Sequence, residues 1–330
     1  MNPFKAYLID QKEGKTVAGF TQLSEDQLDQ GEVTIKITHS SVNYKDALAA
    51  TGAGRIIRRY PCVGGIDMAG IVAKSTDTRF KDGDEVIATS YDIGVAHHGG
   101  YAEYGRVPAD WVVPLPKGMS LHDAMALGTA GYTAALGVVR MEENGLKPAN
   151  GRVIVSGATG GVGSIAIDIL SRLGYDVVAL TGKESQTEYL KGLGAKEVML
   201  RSSLDLSKIK PLEKTLWAGA VDNLGGEVLA WMASNMQQNG VIASIGLAAS
   251  MSLNTTVAPF ILRGASLLGI DSGYTAMPLR RKVWERLAGD MRPGHLSGMT
   301  RTVKLGDLPS VFDEFIKGQA HGRVVVDCAS

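Results

Sequence analysis

Hydrophobic positions in the first third of the chain fall in short, closely spaced runs. Ala6-Tyr7-Leu8-Ile9, residues 32–38, Ile71-Val72-Ala73 and Glu85-Val86-Ile87-Ala88 are bounded by glycine or polar turns such as Asp82-Gly83-Asp84, and they predict strands. No long helical period separates them, so this region predicts a small β-barrel or sandwich. The pattern changes near Ser120. Residues 123–136 read as a helix rich in small side chains, and Arg152–Ser156 as an apolar strand of the kind buried in parallel sheets. Val162, Ile165, Ala166, Ile169, Leu170 and Leu173 then recur at steps of 3, 4, 7, 8 and 11, one face of a helix. Strands over 175–181, 197–200, 219–224, 241–246 and 266–270 alternate with helices near 186–193 and 228–236. Such alternation predicts a doubly wound parallel sheet, an α/β fold. The tail returns to a mixed pattern: a strand at 303–305, a helix near 308–317 and a strand at 323–327.

Composition narrows the class. At ~150 residues per domain, 330 residues fit roughly two domains. The 34 basic and 34 acidic side chains cancel, which removes a global electrostatic case for nucleic acid or an anionic membrane. Only two cysteines occur, too few for a disulfide framework, as expected of a reducing compartment. No apolar run approaches the ~20 residues of a membrane span and the start carries no signal-peptide core, so a cytoplasmic protein is expected.

The most specific motif is Ser156-Gly157-Ala158-Thr159-Gly160-Gly161-Val162-Gly163, directly after an apolar strand and at the start of an amphipathic helix. Glycines there let backbone N–H groups approach a pyrophosphate, and the helix end behind offers unpaired donors and a positive dipole. A site for NAD wants a carboxylate ~20 residues on, against the ribose 2′-hydroxyl. This chain has Thr181-Gly182-Lys183 instead, followed by Glu184, with Arg201 after the next strand. A hydroxyl, a glycine and two cations suit a 2′-phosphate, so NADPH is the expected cofactor.

Candidate chemistry is sparse. Tyr44 could hydrogen-bond a carbonyl or deliver a proton, although spacing alone reads it as a buried tyrosine with a satisfied hydroxyl. Cys62 and Cys328 lie far apart and outside any Cys-x-x-Cys, and His97-His98 are adjacent, so no metal site is expected. His97 and His98 read as loop residues, with active-site lining as the alternative. Arg55, Arg58 and Arg59 cluster before Tyr60-Pro61 and could hold the phosphates of a coenzyme A thioester, or form a solvated ion-pair network.

These motifs, taken in order, resemble the medium-chain dehydrogenase/reductase superfamily in its zinc-free quinone-oxidoreductase branch. Val42-Asn43-Tyr44-Lys45-Asp46, residues 61–70 (Pro-Cys-Val-Gly-Gly-Ile-Asp-Met-Ala-Gly), Gly99-Gly100-Tyr101-Ala102-Glu103, Thr129-Ala130-Gly131-Tyr132-Thr133-Ala134 and the turn at 157–163 carry the likeness over essentially the whole chain. Asn43-Tyr44-Lys45-Asp46 and Gly64-Gly65-Ile66-Asp67 point within it to the acrylyl-CoA reductase subfamily. Where zinc-dependent relatives carry a ligand cysteine and a His-Glu pair, this chain reads Asn43-Tyr44 and Ile66-Asp67.

The resemblance implies a GroES-like catalytic domain (1–124 and 274–330), a Rossmann domain (125–273), NADPH and a homodimer. It implies that Tyr44 faces the nicotinamide and is the tentative catalytic side chain. Thr159, Gly160, Gly161 and Val162 would hold the pyrophosphate, and Thr181, Gly182, Lys183 and Arg201 the 2′-phosphate end. Leu247 and Ser272, leaving carboxyl ends of sheet strands, would contact the nicotinamide, and Arg323 would reach the cofactor. The implied reaction is reduction of acrylyl-CoA to propanoyl-CoA. Reduction of quinones or free enones is the alternative, and a non-catalytic NADPH-binding protein the third reading.

Overall fold

A computed structural model describes residues 2–329; Met1 and Ser330, outer bounds of the expected first domain, lie outside them. The chain begins with β1 (Phe4–Lys12), β2 (Lys15–Leu23), β3 (Val33–Val42), α1 (Tyr44–Thr51), β4 (Cys62–Val63), β5 (Asp67–Ser75), β6 (Glu85–Thr89), β7 (Tyr104–Val107) and β8 (Val112–Pro114). It continues through α2 (Leu121–Glu143), β9 (Arg152–Ser156), α3 (Gly161–Arg172), β10 (Asp176–Thr181), α4 (Thr187–Gly192), β11 (Glu197–Leu200), β12 (Trp217–Asp222) and α5 (Gly226–Ser234). It ends with β13 (Met236–Ser244), α6 (Ala258–Arg263), β14 (Ser266–Gly269), α7 (Met277–Ala288), β15 (Thr300–Lys304), α8 (Leu308–Ile316) and β16 (Arg323–Asp327).

Two compact units divide the chain. One runs to Thr129 and adds Gly273–Trp284 and the stretch from Leu296; the other is Ala130–Ser272 with Glu285–His295. The expected bounds at 124/125 and 273/274 thus shift to 129/130 and 272/273. Residues 285–295, expected in the first domain, pack with the second because their polar groups are anchored there. Arg286 pairs with Glu142, and the buried Asp168 of α3 accepts from Gly294 N (3.1 Å) and His295 N (2.8 Å).

The first unit is the GroES-like one. Its larger sheet orders β15-β16-β3-β5-β6-β8 with β7 on β3, beside a small β2-β1-β4 sheet. Ile9, Ile35, Ile37, Met68, Tyr101 and Phe312 form its core. Alternation failed to predict β2 because it is an edge strand with Val17 and Phe20 exposed. Helix α1 was also unpredicted: Ala47, Ala49 and Ala50 are its buried hydrophobics, too small to write a hydrophobic period.

The second unit is a Rossmann fold: a parallel sheet ordered β11-β10-β9-β12-β13-β14. β9, β10 and β12 are buried almost throughout, as a sheet covered on both faces requires. α3 lays Ile165, Ala166, Ile169 and Leu170, all 0 % exposed, into the interior. This order reverses direction between β9 and β12, the place where open α/β sheets leave a crevice for ligands.

Candidate functional site

On the second unit the glycine-rich turn leaves β9 at Ser156. Gly157 takes φ +59°, and Gly160 caps α3 in an extended conformation. A Cβ on Gly163 would stand 2.3 Å from the Gly157 carbonyl oxygen, so only glycine lets the helix close on the turn. The turn is tied to the neighbouring strand: Ser156 Oγ donates to Asp222 Oδ1 (2.8 Å), and Asn223 Nδ2 donates to the Ser156 carbonyl (2.7 Å). Burial pushes the Asp222 carboxyl up, against the bonds it accepts from Ser156, Gly225 and Leu224. Asn223 Oδ1 is buried without a partner among the described residues. A cradle that excludes any Cβ, the first-turn N–H groups of α3 and an orphaned amide oxygen fit a nucleotide diphosphate.

Thr181 ends β10 in register with Leu200, the last residue of β11, so Arg201 leaves that strand beside the 181–183 segment. Lys183 N donates to Thr181 Oγ1 (3.0 Å), folding the segment tightly. Arg201 lines a cavity of about 380 Å³ together with Leu206, Gly225, Gly226, Val228 and Ser250. Thr159 to Val162 lie on the turn and the first residues of α3. Leu247 follows β13 with 60 % of its surface exposed, and Ser272 Oγ accepts from Thr133 Oγ1 (2.8 Å).

On the first unit a buried polar cluster centres on Asp67, which is 0 % exposed. Its Oδ1 accepts from Thr129 Oγ1 (2.5 Å), and its Oδ2 from Ser41 Oγ (2.5 Å), Asn43 Nδ2 (2.8 Å) and Thr129 N (3.0 Å). Asp46 accepts from Asn43 N (2.9 Å), Asn43 Nδ2 (3.1 Å) and Ile66 N (3.0 Å). Arg323, 2 % exposed, donates through Nε to the Ala126 carbonyl (2.7 Å) and through Nη2 to Ser41 Oγ (3.2 Å). α2 reaches this cluster by a kink: Gly128 takes φ 52°, ψ −155°, and a Cβ there would meet Ser41 Oγ at 2.6 Å and Asp67 Oδ2 at 2.7 Å. Burial, and then the neighbouring Asp67 charge, push the Asp46 carboxyl up to about 7. Burial lowers the Arg323 guanidinium, whose facing groups Asp67 and Asp46 oppose the shift.

Asn43 caps α1, and Tyr44 is the first helical residue with 54 % of its surface exposed. The tyrosine is therefore not the buried structural side chain that spacing alone suggests. The arginine cluster is partly committed: Arg58 pairs with Asp92 and donates to Tyr274 Oη (3.1 Å), while Arg59 pairs with Asp29 (2.5 Å). Arg55 is exposed. His97 and His98 are structural. His98 Nδ1 accepts from Val63 N (3.0 Å), and His97 Nε2 donates to the Arg106 carbonyl (2.7 Å).

Sequence reasoning missed Ser41, Asp46, Asp67 and Thr129 as one assembly. The signals were an Asn-x-x-Asp spacing at a helix start and a carboxylate inside the apolar run Ile66-Asp67-Met68-Ala69.

The alcohol dehydrogenase GroES-like domain family matches residues 29–117, and the zinc-binding dehydrogenase family residues 161–289. The zinc that the second name implies does not fit this chain. Amide, phenol, isoleucine and one carboxylate occupy Asn43-Tyr44 and Ile66-Asp67, and no group of three or more His, Cys, Asp or Glu among the described residues is placed to hold a metal. Burial pushes the Cys62 thiol up to about 12. The chain is 46 % identical to the acrylyl-CoA reductase AcuI of Ruegeria pomeroyi, over 98 % of this chain and 99 % of that one. The NADP complex of the yhdH oxidoreductase from Salmonella enterica superposes with a TM-score of 0.95, at 45 % identity over 98 % and 99 % of the two chains. The Bacillus subtilis protein yhfP with NAD bound gives 0.97, at 46 % identity over 99 % and 100 %.

Proposed function

The chain belongs to the medium-chain dehydrogenase/reductase superfamily, in its quinone-oxidoreductase-like branch, and on that premise we propose that it reduces the C=C bond of acrylyl-CoA to give propanoyl-CoA, with NADPH as hydride donor to the β-carbon. The observation that carries this reading is the end-to-end likeness to an acrylyl-CoA reductase. The cofactor half is supported by the cradle at 157–163 and by the cationic edge formed by Thr181, Gly182, Lys183 and Arg201.

The placement of individual residues supports the following roles. Thr159, Gly160, Gly161 and Val162 bind the pyrophosphate, while Leu247 and Ser272 bound the nicotinamide end. Tyr44, exposed on a capped helix start, hydrogen-bonds the developing enolate oxygen, and Tyr44 or water protonates the α-carbon. Arg323, expected to reach the cofactor, is buried and instead ties Ser41 of β3 to Ala126 of α2. Arg55 meets the coenzyme A phosphates; Arg58 and Arg59, already paired with carboxylates, contribute less.

The protein acts as a homodimer in a reducing cytoplasm. β14 is an edge strand of the sheet, and Leu247, Met251, Val257, Ile261 and Leu262 in the segment before it are all at least 60 % exposed. Pairing two β14 edges covers both liabilities. Both cysteines are free and buried, as suits a reducing compartment. Among the described residues no helix is long and apolar enough to cross a membrane.

The experiment is NADPH oxidation with acrylyl-CoA beside free acrylate and a simple benzoquinone, repeated with NADH. Turnover confined to the thioester with NADPH is expected. Faster turnover of the quinone would overturn the substrate assignment and establish the quinone or enone reading. Tyr44→Phe is expected to lose ~100-fold in kcat, the usual scale of acid–base assistance; a change within about twofold removes Tyr44 from the chemistry.

A further inference from the structure

Three stretches distant in sequence converge on one carboxylate. β3 supplies Ser41, the cap of α1 supplies Asn43, α2 supplies Thr129 at its kink, and β16 supplies Arg323 through Ser41. Thr129 gives both its N–H and its hydroxyl to Asp67, one to each oxygen. A threonine hydroxyl has a single proton. With that proton directed at Oδ1, the 3.0 Å contact between Thr129 Oγ1 and Ser90 Oγ has Ser90 as its donor. Ser90 and Tyr91 are consecutive non-glycine residues with φ 65° and 50°, a conformation that persists only where surroundings over-determine it and that concentrates at functional sites. Here Ser90 N donates to the Ile66 carbonyl (2.8 Å) and Tyr91 N to the Gly273 carbonyl (3.1 Å).

We propose that Asp67 is a positioning residue of the reduction: one buried carboxylate that fixes Asn43, and through it the first turn of α1 bearing Tyr44, to Thr129 and Ser90. The inference rests on the proposed reductase activity for its kinetic test, and on backbone geometry for a test that needs no turnover. The nearest alternative acceptor for Asn43 Nδ2 is Asp46, which also receives Asn43 N and Ile66 N and so completes the capping box from the other side. Asn43 is therefore clamped between two carboxylates, and Asp67 joins that clamp to Thr129 of α2. Arg323 supplies the counter-charge. The charged and titratable groups facing Asp67 are Asp46 on α1, Arg323 on β16 and Tyr101, whose hydroxyl donates to the Ser41 carbonyl (3.1 Å).

The test is Asp67→Asn, an isostere that cannot accept from every partner at once. We expect kcat with acrylyl-CoA to fall at least tenfold while the KM for NADPH stays within twofold, since the cofactor cradle lies on the second unit. A loss of folded protein would instead lower the amount of NADPH bound at saturation. The variant also removes a negative neighbour from Asp46, so the pH midpoint of the Asp46 titration, read by NMR, is expected to move to lower pH. Amide hydrogen exchange at residues 43–47 and 128–130 is expected to accelerate together in the unliganded variant. If kcat holds within twofold, if the pH midpoint does not move, or if the two segments exchange independently, the proposal is overturned. Should Asp67→Asn fail to fold, Thr129→Val removes the hydroxyl's bonds to Asp67 and Ser90, keeps the N–H bond to Asp67, and is expected to lower kcat about fivefold at constant NADPH KM; unchanged kcat overturns the proposal equally. If the wild-type protein turns over no acyl-CoA, the reductase reading fails, while coupled exchange in the variant still decides the positioning role.

Discussion

Two helical glycines in the second unit are expected to respond to the same substitution with opposite signs. Gly163 lies in the first turn of α3 and Gly192 at the end of α4. Helix propensity alone predicts that alanine stabilises either position, by up to ~1 kcal/mol in a helix interior and less at an end. At Gly192 nothing lies within 4 Å of the added methyl, so Gly192→Ala is expected to gain about 0.5 kcal/mol or less. At Gly163 the methyl would stand 2.3 Å from the Gly157 carbonyl oxygen and 2.9 Å from Ala158 Cα, both backbone atoms that cannot rotate away. The turn must move by about an ångström, and such overpacking costs ~1–3 kcal/mol, more than the propensity gain. Gly163→Ala is therefore expected to lose ~1–2 kcal/mol in urea unfolding. The same movement carries the N–H groups of the turn away from a pyrophosphate. We expect the NADPH dissociation constant, read by fluorescence titration, to rise at least ~10-fold, equivalent to about 1.4 kcal/mol. A Gly163→Ala protein as stable as wild type and binding NADPH within twofold would refute the cradle. The result at Gly192 guards against attributing a general effect of alanine to the turn.

Lys183→Glu is expected to raise the NADPH KM severalfold with the NADH KM nearly unchanged, as the proposed 2′-phosphate role requires; equal effects on both cofactors remove that role. Arg55→Ala is expected to raise the KM for acrylyl-CoA severalfold and leave that for a benzoquinone unchanged, whereas Arg58→Ala, which removes a side chain already paired with Asp92, has the smaller effect. The buried Asp46 gives a pH test of sign. Its folded value of about 7 lies above the ordinary carboxylate value of 3.8, so the folded state binds the extra proton and the stability it brings is present at low pH. That stability is lost as pH rises through 7. Tm is expected to fall between pH 5 and pH 8 by several degrees more in wild type than in Asp46→Asn, measured by differential scanning calorimetry; parallel curves would show that Asp46 titrates normally.

The second unit was the more legible in sequence because its signals are local. A run such as Arg152–Ser156 must be buried on both faces to be so apolar, and the period of 162–173 can serve only a helix against a sheet. The first unit was read less fully. β7 and β8, of four and three residues, are too short to alternate, and α1 buries alanines rather than a large apolar stripe. Helix α7 has a strongly polar sequence, MPLRRKVWERLA, and its fully buried Val283, Trp284 and Leu287 are too few to outweigh it. The unexpected place of 285–295 has the same origin, since the anchors that hold it are pairs such as His295 N with Asp168, 127 residues apart.

The polar cluster shows where sequence reading stops for a physical reason. Burying a charge without partners is prohibitive, so Asp67 inside an apolar strand and Arg323 before Val324-Val325-Val326 each announce that a partner exists. Neither announces which. Arg323 meets a hydroxyl 282 residues away on β3 and a carbonyl 197 residues away on α2, while Asp67 meets Thr129 across 62 residues. Such contacts become available only after the strands have paired and α2 has bent at Gly128, a bend that no side chain but hydrogen permits. The glycine and the carboxylate therefore form a single requirement. Gly128→Ala should disturb the same bonds as Asp67→Asn, since its methyl would occupy the space between Ser41 Oγ, Asp67 Oδ2 and Arg323 Nη2. Because both substitutions act on one set of contacts, the double variant should lose much less kcat than the product of the two single losses; full multiplicativity would show that the kink and the carboxylate act independently.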